Sequence, residues 1–149
     1  MNKWVGSLIA LATVLVIRPD TASAFEQYLC IGEKATGFNW NGSAWVQATF
    51  KVDNDKFLIQ ETEPTELLGK TFNVEVKRFG SDRVLHQCER GEYSGKKSNR
   101  IICGGLGYGM LIDAKSLRYQ EFYGIGYIDG KDEPGNTPSL TLGTCTRLK

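Results

Sequence analysis

The sequence predicts an all-β fold: an antiparallel up-and-down β-barrel, lipocalin-like in shape, or a sandwich of about eight or nine short strands, with two disulfides. Three observations predict it. Apolar and polar residues alternate with a period of two in several short segments, turn residues recur between those segments, and no window of a dozen residues carries a helical stripe.

Each element follows from that pattern. A period of two means a strand with one buried face. In "WVQATFKV", Val46, Ala48, Phe50 and Val52 share one face, and Gln47, Thr49 and Lys51 share the other. "TFNVEVK" sets Phe72, Val74 and Val76 against Asn73, Glu75 and Lys77, and "LTLGT" repeats the pattern through Leu140 and Leu142. Asn41-Gly42, Asp53-Asn54-Asp55, Gly80-Ser81-Asp82 and Asp129-Gly130 supply the positive-φ or side-chain-capped positions that tight turns need. "PTELLGK" predicts a single helical turn with Thr65 as cap and Gly69 as stop.

The first residues read as an address. Lys3 gives a short basic start, Trp4 to Ile17 is almost wholly apolar, and Ala22 and Ala24 form an A-x-A cleavage site. That order of parts predicts a signal peptide over residues 1–24 and one β-barrel domain over 25–149. The apolar run falls short of the roughly 20 residues that span a bilayer, so the expected product is exported, periplasmic or secreted, without a membrane span. The whole chain carries a formal charge of +1, and removal of Lys3, Arg18 and Asp20 makes the remainder neutral. A neutral balance argues against nucleic acid as a partner, which calls for a clustered positive field.

All 4 cysteines, Cys30, Cys88, Cys103 and Cys145, lie beyond the leader. An even count in an exported chain favours disulfides over a zinc site, which would want C-x-x-C spacing or more histidines than His86 alone. Of the three possible connectivities, a closed barrel favours Cys30–Cys145, because its first and last strands are neighbours. Cys88–Cys103 would then clamp the hairpin around "ERGEYSGKKSNRII". The alternation turns Leu29, Ile31, Leu140 and Leu142 inward, and so Tyr28, Cys30, Thr141, Gly143 and Cys145 outward.

An early cysteine, "TGF" before a Trp-containing hairpin, the pair Cys88 and Cys103, and the ending "LRYQEFYGIGYIDGKDEPGNTPSLTLGTC" occur together. In these features, from Tyr28 to Leu148, the chain resembles a group of small, functionally uncharacterised exported proteins of proteobacteria. The resemblance implies a bacterial, exported, disulfide-bonded β domain. It implies no activity, cofactor or catalytic residue.

Among candidate sites, Trp40 and Trp45 flank Asn41-Gly42 and so reach the two arms of one hairpin, where paired rings either stabilise the hairpin or stack on a ligand. Lys96, Lys97 and Arg100 gather on the loop between Cys88 and Cys103, a basic prong suited to an acidic cleft on another protein. "CGGLGYG" lacks the Lys-Ser/Thr of a phosphate loop and reads instead as bulges and close backbone approach. His86 stands alone, without the companions that catalysis or metal binding needs. Asp129, Asp132 and Glu133 cluster in a loop without calcium-loop spacing. The expectation is a non-enzymatic exported binding module without metal or cofactor, holding a small apolar or amphipathic ligand near Trp40 and Trp45. The alternative is an inhibitor-like module that meets a cell-envelope hydrolase through Lys96, Lys97 and Arg100.

Overall fold

The computed structural model describes residues 25–149, so the expected leader and its cleavage site at Ala24 lie outside the described residues. The chain runs through β1 (Gln27–Trp40), β2 (Trp45–Phe50), β3 (Lys56–Leu67), β4 (Lys70–Arg78), β5 (Val84–Glu89), β6 (Glu92–Tyr93), β7 (Lys96–Lys97), β8 (Arg100–Gly105), β9 (Tyr108–Asp113) and β10 (Arg118–Tyr123). A 4-residue helix, α1 (Ile125–Ile128), precedes the last strand, β11 (Ser139–Arg147).

The main sheet is ordered β11-β10-β9-β8-β5-β4-β3-β1-β2, and β11 also pairs with β1. That extra pairing closes an 8-stranded antiparallel barrel and excludes the sandwich. β1 is long enough to serve three neighbours. Its first part, Gln27–Ile31, pairs with β3; its last part, Ala35–Trp40, pairs with β2; and β11 runs along its other edge. A bulge between Gly32 and Lys34 separates the two parts and bends the strand where β3 gives way to β2.

The core lies inside the barrel and is made of Tyr28, Cys30, Phe57, Ile59, Val74, Val76, Cys88, Ile101, Cys103, Met110, Ile112, Ala114, Tyr119 and Cys145. Val74 and Val76 on β4 face in as their alternation predicts. Both expected disulfides are present. Cys30 and Cys145 are direct partners across the β1–β11 seam, and Cys88 faces Cys103 across β5 and β8.

The facing of the seam is the reverse of the sequence expectation. Tyr28, Cys30, Thr141, Gly143 and Cys145 point inward, while Ile31, Leu140 and Leu142 lie on the outer wall, 43%, 37% and 46% exposed. The interior of an 8-stranded barrel is just wide enough for its own side chains, so crowding there outweighs hydrophobicity. Tyr119 leans across Gly143, where an added Cβ would sit 2.4 Å from the ring and 2.2 Å from the Ile31 carbonyl. Leucines with the inward facing would have to occupy that space.

The helical turn expected at "PTELLGK" is instead the β3–β4 hairpin. Thr65 pairs with Phe72 and Leu67 with Lys70. Leu68 and Gly69 carry φ of 53° and 73°, as a two-residue primed turn requires. Continued ladder hydrogen bonds on both sides outweigh one isolated helical turn. The short helix α1 has no sequence counterpart, since a single turn offers no periodicity to read.

The bridges close loops of very different length, with sequence separations of 115 and 15. Chain entropy assigns nearly 5 kcal/mol to the longer loop and about 3 kcal/mol to the shorter. Cys30→Ala/Cys145→Ala should therefore lower the urea midpoint more than Cys88→Ala/Cys103→Ala. Equal midpoints in equilibrium unfolding would contradict that ordering.

Candidate functional site

The two ends of the barrel differ in how they treat charge. At one end, Arg90, which follows β5, is turned inward with its side chain 5% exposed. Its Nη1 donates to Glu26 Oε2 and Glu61 Oε1, each at 2.7 Å, and its Nε donates to the Ser98 carbonyl at 2.7 Å. Asn73 brackets the Arg90 backbone, accepting from its N–H at 2.8 Å and donating to its carbonyl at 3.0 Å. Lys97 on β7 donates to both Glu61 oxygens at 3.1 and 2.9 Å, and Tyr28 donates to Glu26. The network plugs this end and straps the β6–β7 hairpin to it.

Burial opposes ionisation of Glu61, but the hydrogen bonds and charges of Lys97 and Arg90 outweigh it and hold the carboxyl below its ordinary 4.5. Glu26 behaves alike, with burial outweighed by Tyr28, Arg90 and Arg147. Depressed carboxylates stabilise the fold above the ordinary value and lose that contribution as pH falls through the lowered one.

The other end holds a cavity of about 730 Å³, open to solvent and lined by Ala35, Asn39, Phe50, Asp55, Tyr108, Glu121, Tyr123, Thr137, Ser139 and Thr141. Register explains who lines it. Tyr119, Glu121 and Tyr123 alternate inward along β10, opposite Gly143, Thr141 and Ser139 of β11, while Tyr108 of β9 faces Tyr123. Beyond the bulge, Ala35 of β1 sits between Thr141 and Phe50. Asp55 enters from the β2–β3 turn, its N–H bonded to the Val52 carbonyl and its own carbonyl accepting from Gly32 N–H at 2.7 Å.

The cavity carries two carboxylates without a cationic partner: among the described residues, neither Asp55 nor Glu121 is in a salt bridge. Glu121 accepts from the Tyr108 hydroxyl at 3.3 Å. Burial raises the Glu121 carboxyl above its usual range, the Asp55 charge raises it further, and Tyr108 and Arg78 only partly offset this. Burial likewise raises Asp55 against the pull of Arg78. The Tyr108 phenol is pushed up to about 12 by burial and by Glu121.

Beneath the cavity, His86 lies 4.5 Å from the Tyr108 ring, ring centre to ring centre, and burial lowers its basicity. Its Nε2 and the Tyr119 hydroxyl are buried without a hydrogen-bond partner among the described residues. Buried polar atoms are rarely left so.

Of the residues picked from sequence, Trp40 and Trp45 are direct cross-strand partners with ring centres 5.5 Å apart, and neither lines the cavity. Trp45 also meets Tyr127 of α1 edge-on at 5.6 Å and donates from Nε1 to Asp132 at 2.9 Å. The pair thus fastens the segment before β11 to the β1–β2 hairpin. The basic trio is divided: Lys97 is tied to Glu61, Arg100 pairs with Asp113 at 3.0 Å, and Lys96 is exposed on the hairpin. Asp129 pairs with Lys131, Asp132 accepts from Trp45 and Glu133 from Asn136. Among the described residues no group of three or more His, Cys, Asp or Glu side chains could hold a metal ion. "CGGLGYG" forms the β8–β9 hairpin, and a Cβ on Gly104 would meet the Tyr108 carbonyl at 2.4 Å.

Asp55 and Glu121 are the residues that sequence reasoning missed. Asp55 was absorbed into a turn, and the readable signal for Glu121 was a carboxylate between two tyrosines at period two, Tyr119-Gln120-Glu121-Phe122-Tyr123.

No protein-family model matches the chain, and no curated protein and no solved structure matches it. Among the described residues every cysteine is in a disulfide, which fits an oxidising compartment, and no helix is long and apolar enough to cross a membrane.

Removing Arg90 takes the shared cation from buried Glu61 and from Glu26, leaving Glu61 only the half-exposed Lys97. Breaking a buried ion pair costs up to about 3–5 kcal/mol. Arg90→Met should therefore unfold at a clearly lower temperature in calorimetry, and an unchanged Tm would refute the latch. Glu121→Gln should do the opposite. A raised carboxyl favours the fold most below its ordinary pKa and loses that contribution as pH rises through the raised value. At pH 7 the substitution removes a penalty and should raise Tm by up to about 4 °C, roughly the effect of 1 kcal/mol in a chain of this size. A fall in Tm would mean that the carboxylate is structural.

Proposed function

We propose that this protein is an exported, non-enzymatic binding barrel that holds a small amphipathic ligand in the cavity at its open end. One observation carries the reading: a cavity of about 730 Å³ combines the aromatic walls of Phe50, Tyr108 and Tyr123 with two carboxylates, Asp55 and Glu121, that are in no salt bridge among the described residues. Ligand sites have that character, with concave, largely preformed walls and a few polar groups that fix orientation. The plugged end and the packed core beneath leave the open end as the way in. Trp40 and Trp45 act through the rim: they hold the α1 segment against the β1–β2 hairpin, and Thr137 and Asn39, from those two pieces, both line the cavity and share a 3.3 Å hydrogen bond. Export rests on the leader-like Trp4–Ile17 run with Ala22 and Ala24, and the disulfides agree with it. The alternative, an inhibitor of an envelope hydrolase, has less support, because Lys97 and Arg100 are engaged within the chain.

Native mass spectrometry of the protein, purified without detergent from the cells that make it, tests the reading. The expected result is an added small-molecule mass in the native spectrum that disappears on denaturation. Ala35→Trp, which places an indole in the cavity, should abolish the adduct and preserve the strand signal in circular dichroism. A bare wild-type protein, or an adduct indifferent to Ala35→Trp, would overturn the assignment.

A further inference from the structure

The cavity's polar groups specify more than "polar". Asp55 comes from the β2–β3 turn and Glu121 from β10, so two separate elements deliver negative charge to one recess, where the Asp55 charge disfavours the ionisation of Glu121. Arg78 on β4 acts on both and Tyr108 on β9 on Glu121, while Tyr119 on β10 feels both carboxylates and His86 on β5 lies against the Tyr108 ring. Of these only Arg78 is cationic, since burial keeps His86 neutral, and Arg78 bonds to neither carboxylate.

A second observation is independent of the acids. Tyr119, 3% exposed, has a hydroxyl without a hydrogen-bond partner that lies close enough to Glu121 and Asp55 to feel their charges. A fully satisfied structural carboxylate pair would have a cation between its members, as Glu26 and Glu61 have Arg90 at the opposite end.

Two carboxylates without a third acidic, histidine or cysteine ligand are too few for a divalent metal among the described residues, which calls for six or more oxygens in the calcium case. An organic cation needs less. An ammonium offers three donors, and Glu121, Asp55 and the hydroxyls of Thr141 and Tyr108 are acceptors lining the same cavity. Tyr108 and Tyr123 meet edge to face at 5.7 Å, and such rings attract a cation or cover an apolar body equally well.

We propose that the ligand is a protonated amine, its ammonium group shared between Asp55 and Glu121 and its apolar body laid against Phe50, Tyr108 and Tyr123. This rests on the binding-barrel reading and adds the chemical class of the ligand.

Calorimetric titration of the purified protein with three size-matched probes tests it: 2-phenylethylamine, 2-phenylethanol and phenylacetate. The amine should bind at least about tenfold more tightly than the alcohol, the difference expected for hydrogen bonds to charged partners, and phenylacetate should not bind. Glu121→Gln and Asp55→Asn should each weaken the amine about tenfold and so narrow its advantage over the alcohol, with both variants folded by circular dichroism. Amine binding should also weaken from pH 7 to pH 4.5 as the two carboxylates take up protons. Equal affinity for amine and alcohol, unaffected by Glu121→Gln, would overturn the cationic class yet leave the cavity a binding site. Failure of all three probes to bind would overturn the amine assignment, and a bare native mass spectrum alongside it would remove the binding-barrel reading as well.

Discussion

The seam between β1 and β11 sets the interior dimensions on which everything else depends. Closure brings Cys30 opposite Cys145 and fixes the register of both strands along nine residue pairs, from Tyr28–Arg147 to Gly37–Ser139. An 8-stranded barrel has little internal width, so what the seam points inward decides whether a given level is filled or empty. Low on the seam, the disulfide and the Tyr119 ring over Gly143 complete a packed layer with Phe57, whose ring meets Tyr119 at 5.9 Å. Above the bulge Ala35 on β1 and Thr141 and Ser139 on β11 line the cavity, all of them small. The cavity is the volume those three positions decline to fill. It is therefore a property of the strand register and not of a loop.

Much of this was legible in the sequence, and the losses have physical causes. The strand class, the turns and both cysteine pairings follow from alternation and from the adjacency of first and last strands in a closed barrel. Facing did not follow at the seam. Alternation gives two faces but not which is inside, and the usual rule, apolar inward, fails where the interior is too narrow for Leu140 and Leu142 but admits a disulfide and a glycine. The same error hid the site. Once Cys145 is inward, Thr141 and Ser139 must be too, and their partners Glu121 and Tyr123 follow across the β10–β11 ladder. Asp55 was harder, because an Asp-Asn-Asp run satisfies the requirements of a turn without any appeal to an interior role. Trp40 and Trp45 drew attention by size, whereas the structure uses them to hold a rim.

The latch and the cavity also show how one side-chain chemistry serves two ends. Glu26 and Glu61 are buried with Arg90 and Lys97 against them, and the Coulomb and hydrogen-bond gain exceeds the desolvation cost, so both carboxyls are held ionised. Asp55 and Glu121 suffer the same kind of desolvation, which the Arg78 charge and, for Glu121, the Tyr108 hydroxyl only partly offset, so both are pushed toward the neutral form. The latch therefore contributes stability that fades in acid. The cavity contributes a penalty that grows as the solution becomes alkaline through the raised values.

A fold selected only for stability would remove that penalty with little effort. Gln at 121 and Asn at 55 keep the shape and the hydrogen-bonding capacity while losing the repulsion, and nothing in the packing around Phe50, Thr141 or Tyr123 requires a charge. Functional sites are where proteins retain groups that cost stability, because the compensating interaction arrives with the ligand. By that argument the free energy missing from the open end is a measure of what a bound cation would return, in the same way that Arg90 returns it at the closed end. On the reading proposed above, a cationic ligand would stand between Asp55 and Glu121 as Arg90 stands between Glu26 and Glu61.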